Sequence, residues 1–147
     1  MAVPTIDRLI RLRSSRSFGP YAWRLLMLVY GLDLPPEVEV GPGVVFPHTG
    51  RGTVVHPRTV IRRNVTIFHG VTIGREDAHV AEAGSPFGGI DIGEGAVICA
   101  GAVVLGGEGI TRVGRGSIVA ANAVLRRSTG DFEIWAGVPA RLIGMAK

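Results

Sequence analysis

One cysteine, Cys99, stands alone in 147 residues, so no internal disulfide can staple the fold and a reducing compartment is expected. No run approaches the roughly 20 apolar residues that cross a bilayer. The first residues lack a charged start, an apolar stretch and a small-residue cleavage site, so no cleaved leader is expected. Low-complexity tracts are missing too. Gly 22 and Pro 9 fall at regular intervals, which points to a repeat, and a hydrophobic fraction of 46% excludes a disordered chain. A net charge of +4 suits an anionic partner, yet no recognition motif or clustered basic run supports nucleic acid. A phosphate-bearing small molecule or an anionic membrane surface fits that charge equally well.

What is present is a period of six. From Val40 onward aliphatic residues recur as VGPGVV (40–45), FPHTGR (46–51), VHPRTV (55–60), IRRNVT (61–66) and IFHGVT (67–72). The pattern returns as IGEGAV (92–97), ICAGAV (98–103), VLGGEG (104–109), VGRGSI (113–118) and VAANAV (119–124). A helix cannot use this period, because its apolar positions would rotate off one face at 3.6 residues per turn. A coil with three short strands per turn can, since each turn stacks its aliphatic residues on the last. The expected fold class is therefore β, a parallel β-helix of hexapeptide repeats over residues 32–147. Three breaks interrupt it: an insertion near Arg51–Thr53, the polar stretch REDAHVAEAGSPFGG at 75–89, and a smaller one near Glu108–Arg112. The long break must protrude as a loop, and loops on rigid scaffolds carry function disproportionately.

Residues 1–31 form a different segment. PTIDRLIRLRSSR carries an amphipathic helical pattern, and PYAWRLLMLVYG opens on a proline and closes on a glycine. This short N-terminal helical part is expected to pack on the coil or on a neighbouring subunit. Peripheral association of residues 5–31 with a membrane surface is the competing reading.

Four histidines occur: His48, His56, His69 and His79. His48 and His69 each take the third place of their hexads and are separated by one 18-residue coil plus the insertion. They should share an outward corner of adjacent coils, roughly 5 Å apart by strand spacing. A metal site would need a third protein ligand, and no H-x-x-x-x-H spacing supplies one, so no metal is expected. A neutral imidazole poised to take a proton from a hydroxyl is the better use.

LDLPPEVEVGPGVVFPHTGRGTVVHP (32–57), NVTIFHGVTIG (64–74), GAVICAGAVVLG (95–106) and WAGVPARLIG (135–144) resemble the hexapeptide-repeat acyltransferases, within them the serine acetyltransferase-like branch. The resemblance covers about residues 31–145. It implies a left-handed coil, an exception to the usual right-handed crossover. It also implies a homotrimer with sites between subunits, a cytoplasmic location that extends to the inner face of the membrane, and acetyl-CoA as donor. His48 would be the general base, Asp33, fifteen residues earlier, its orienting carboxylate, and His69 a neighbour that binds the acceptor or tunes the base. Gly74, Ala100 and Ala121 would let the pantetheine arm lie on the backbone, and Arg126, Arg127 and Arg141 would meet the CoA phosphates. The resemblance fails at Gly88, Gly89 and Ile90, where serine acetyltransferases carry Arg-His-Pro. Their large helical N-terminal domain also has no counterpart in this sequence. The expected acceptor is therefore a carbohydrate hydroxyl, on a surface polysaccharide or its precursor. An atypical serine or amino-sugar acetyltransferase is the alternative, and a non-catalytic trimeric assembly module stands in a different class.

Overall fold

The computed structural model describes residues 5–147; the first four residues of the N-terminal segment lie outside the described residues. Three sheets, built mainly of two- to six-residue strands, face one another around an aliphatic interior. The first contains Glu39–Val40, Thr59–Ile61, Phe87–Ile92 and Gly109–Val113. The second contains Thr66–Ile67, Val97–Ile98, Ile118–Val119, Glu133–Gly137 and, at its edge, Ala140–Met145, and the third Val54–Val55, Thr72–Arg75, Val103–Gly106 and Val124–Leu125. The strands that successive coils contribute to each sheet run parallel, one per coil, as the six-residue period requires.

The hexad positions become columns. Ile67, Ile98, Val119 and Trp135 stack through the second sheet, and Val55, Ile73, Val104 and Leu125 through the third. Ile61, Ile92 and Val113 do the same in the first. The fifth hexad positions, among them Val65, Val71, Ala96, Ala102 and Ala123, fill the space beside the corners and are fully buried. Each aliphatic residue thus leaves water against its own equivalents one coil above and below, at about 25 cal/mol per Å² of apolar surface removed.

Register locates the breaks. Val54 pairs with Thr72, a bare coil of eighteen residues, whereas Val60 pairs with Asp91 across the protruding loop. That loop is shorter than its sequence boundaries, because Arg75 still belongs to one strand and Phe87–Gly89 to the next. The smaller break is its consequence. Phe87 is buried against Gly106, where any β-carbon would meet the ring, and it bridges Glu108.

The N-terminal part folds as two helices, α1 (Ile6–Leu12) and α2 (Gly19–Leu25), the latter continued by a wider π turn to Tyr30. Gly31, at φ 67°, ends it in the left-handed region. Leu9, Ala22 and Leu26 join the same buried cluster as Leu32 and Leu34, so this segment packs on the first coil. Among the described residues no helix is long and apolar enough to cross a membrane. The coil closes with an element the period did not announce: Glu133–Gly137 turns back through Val138–Pro139 and pairs antiparallel with Ala140–Met145.

Candidate active site

A regular corner between the second and third sheets is two residues long and ends on a left-handed residue: Gly70, Gly101 or Asn122. Successive corners are tied by Gly70 N–H to the Arg51 carbonyl (2.9 Å), Gly101 N–H to that of His69 (3.1 Å) and Asn122 N–H to that of Ala100 (3.0 Å). His69, Ala100 and Ala121 therefore stand in one column, as their hexad places demand.

The first corner in this column is different. Val45 bridges Thr66 on one side, and on the other the Gly70 bond sets Arg51 level with His69, which leaves three extra residues between Val45 and Arg51. The insertion thus precedes Arg51 rather than following it, and His48 opens it. His48 (φ 54°), Thr49 (φ 60°) and Gly50 (φ 62°) are all left-handed, and the Thr49 hydroxyl donates to the His48 carbonyl at 2.6 Å. Each non-glycine residue there costs about 1–2 kcal/mol. Strain of that kind persists only where the surroundings impose it, and it collects at functional positions. Its effect here is geometric. The His48 ring is carried out to the His69 ring, 5.1 Å between centroids with planes at 90°, and both residues are exposed. The pair meets edge to face without a hydrogen bond, so each imidazole keeps its nitrogens for another partner.

Asp33 lies one coil further out. Its N–H donates to the Thr53 carbonyl and its carbonyl accepts from Val55 N–H, both at 2.9 Å, which sets it beside the strand that leaves the His48 corner. Its carboxylate accepts the indole N–H of Trp23 at 2.9 Å, and no hydrogen bond joins it to His48. Asp33 and Gly74 instead share a largely apolar cavity of about 600 Å³ with Trp23, His56, Thr72 and Leu105. Gly74 is thus separated from Ala100 and Ala121: it pairs with Leu105 in the third sheet, and a β-carbon on it would meet nothing within 4 Å. The small-residue track expected for one ligand arm is divided between a corner and a sheet face.

Arg126, Arg127 and Arg141 do converge. With Glu76, Pro139 and Ala140 they line a cavity of about 290 Å³, and Arg126 is paired with Glu76 at 3.2 Å. Three guanidiniums around one carboxylate leave an excess of positive charge suited to a phosphate. His79 lies exposed on the loop. Cys99 is half-buried, and burial pushes its thiol pKa up, away from the reactive thiolate.

His56 is the group whose setting the sequence did not disclose. Its Nδ1 accepts the Arg58 N–H at 3.1 Å, which puts the ring proton on Nε2, and its ring meets Phe87 edge to face at 4.8 Å. Both partners depend on how the loop returns to the coil. Burial lowers its pKa, opposed by the nearby Glu82 carboxylate, so the neutral ring is favoured. The unfolded chain then binds this proton more readily than the folded one just below pH ~6.5. Stability should be complete above that value and decline as pH falls through it. Asn at position 56 should flatten the decline in urea-midpoint measurements across that window.

No family model matches the chain. Serine acetyltransferase 4 of Arabidopsis thaliana is 33% identical over 116 residues, 79% of this chain and 30% of the relative. The serine acetyltransferase of Haemophilus influenzae is 29% identical, with 92% of this chain and 47% of the relative covered. The chain therefore spans about a third to a half of the length of these curated relatives. Among solved structures, serine acetyltransferase from Brucella abortus is 30% identical with a TM-score of 0.80, covering 97% of this chain and 57% of that one. A serine acetyltransferase solved in complex with CoA is 28% identical with a TM-score of 0.76, covering 94% and 55%. By its repeat, its stacked parallel coils and these likenesses, the chain is similar to serine acetyltransferases over the part of their length that it spans.

Proposed function

We propose that the chain is an acetyl-CoA-dependent O-acetyltransferase with His48 as its general base. The observation that carries the reading is the inserted left-handed corner, which brings an otherwise ordinary surface histidine against His69. In the reaction, the neutral imidazole of His48 removes the proton of an acceptor hydroxyl. The oxygen attacks the thioester carbonyl, the carbon–sulfur bond breaks, and the departing thiolate recovers the proton from the imidazolium. Ester and free CoA are the products. Asp33 stabilises the imidazolium, and His69 contacts the acceptor. Left-handed winding and a trimer with the site between subunits complete this picture.

The relatives favour a serine-type acceptor over the carbohydrate expected from sequence. One observation keeps the carbohydrate reading as the second choice. At Gly88 a β-carbon would sit 2.7 Å from the Gly109 backbone, and Gly89 has φ +139° with its β-carbon 2.8 Å from the Arg58 carbonyl oxygen. No arginine or histidine fits there, so serine would have to be held by other groups. Competition decides between them: with serine, hexoses, amino sugars and nucleotide sugars offered together, the product that gains an acetyl group by mass identifies the acceptor. Acetylserine is the expected product.

The phosphate end has its own test. Charge-assisted hydrogen bonds contribute about 1.5–3 kcal/mol, less where solvent screens them. Replacing Arg126 and Arg127 together by alanine should weaken calorimetric CoA affinity by about tenfold or more, with a flatter salt dependence. Unchanged affinity would remove both arginines from the donor site.

A further inference from the structure

We propose that Trp23, on the helix preceding the coil, is a positioning residue that orients Asp33 for His48. The inference rests on the reading of His48 as base and Asp33 as its partner. The main chain of Asp33 is already fixed by its ladder bonds to Thr53 and Val55, so only the carboxylate is free to turn. One oxygen, Oδ1, is held by the Trp23 indole, while no hydrogen bond engages Oδ2 among the described residues. An indole can donate and never accept, so this contact occupies one carboxylate oxygen with a donor. It leaves Oδ2 for an imidazole N–H. Catalytic hydrogen bonds commonly tighten only once the reactive complex forms, which reconciles the arrangement with the present lack of an Asp33–His48 bond.

Helix packing makes the contact dependable. Ala22 and Leu26, either side of Trp23 in sequence, are buried in the cluster that includes Leu32 and Leu34, which flank Asp33. The two segments therefore share one buried cluster. A phenylalanine at position 23 would fill much of the same space on the cavity wall. The N–H adds nothing to packing, and among the described residues its partner is the carboxylate. Trp23 thereby links the helical segment to the chemistry of the coil.

The test is Trp23→Phe, made in the natural chain and in an Asp33→Asn background. Against the natural chain kcat/KM should fall about tenfold, the equivalent of one hydrogen bond to a charged group. KM for acetyl-CoA should hold. In the Asp33→Asn background the same substitution should cost nothing further, since coupled residues are not additive. Trp23→His, which restores a ring N–H, should recover part of the loss and keeps the test available if the phenylalanine variant does not fold. Equal losses in both backgrounds, or no recovery with Trp23→His, would overturn the proposal and leave Trp23 a packing residue. Failure of the underlying reading looks different: His48→Ala would then retain turnover whatever occupies position 23.

Discussion

Replacing His48 with alanine is expected to lower turnover by about 10²- to 10⁴-fold, the range over which a positioned general base contributes. The expectation is specific because His48 carries so little else. It is exposed, no side-chain hydrogen bond engages its ring among the described residues, and its aromatic neighbour is His69 at 5.1 Å. Truncation should therefore leave the fold and calorimetric CoA binding intact. The left-handed backbone at position 48 does not relax in favour of alanine, which pays the same steric penalty there. His69→Ala provides the contrast. As an acceptor contact it should raise the acceptor KM more than it lowers kcat, whereas loss of the base falls on kcat. Two equal and small effects would remove the pair from the reaction.

Ile98→Ala should destabilise the fold by about 2–5 kcal/mol, as deletion of a buried aliphatic side chain does. Ile98 is fully buried and stands between Ile67 and Val119 in the second-sheet column. A coil cannot collapse into the space, because the strands above and below are held in register by the ladders on either side. Ile110 is the control: it is 51% exposed in the first sheet, and its truncation should fall within about 0.5 kcal/mol of no change. Urea unfolding of the two variants side by side reads the difference. Comparable losses would mean that the columns do not carry the stability assigned to them.

The column that contains Ile98 was legible because a parallel coil repeats one local rule. Ile67, Ile98 and Val119 recur in sequence at the places where they stack in space, and the corner residues His69, Ala100 and Ala121 follow with them. The period also foretold that His48 and His69 would meet. It could not locate the extra residues, since an insertion may be absorbed on either side of Arg51 without disturbing any hexad. The register of Val45 and Arg51, with the left-handed run from His48 to Gly50, places it at His48. Gly74 was grouped with Ala100 and Ala121 by residue size, but they lie on different surfaces of the coil. The pairing of Trp23 with Asp33 joins a helix to the segment that opens the first coil, and no periodicity relates the two. The closing hairpin escaped for the opposite reason: the period ends before Glu133, and antiparallel pairing obeys a different one.

Acceptor-dependent release of CoA thiol from acetyl-CoA by the purified chain tests the central claim most directly. Thiol should appear in proportion to enzyme when serine or another small hydroxyl compound is supplied, and it should all but vanish with His48→Ala. A chain that binds CoA yet releases no thiol with any hydroxyl acceptor, or one whose release survives loss of His48, would contradict the account.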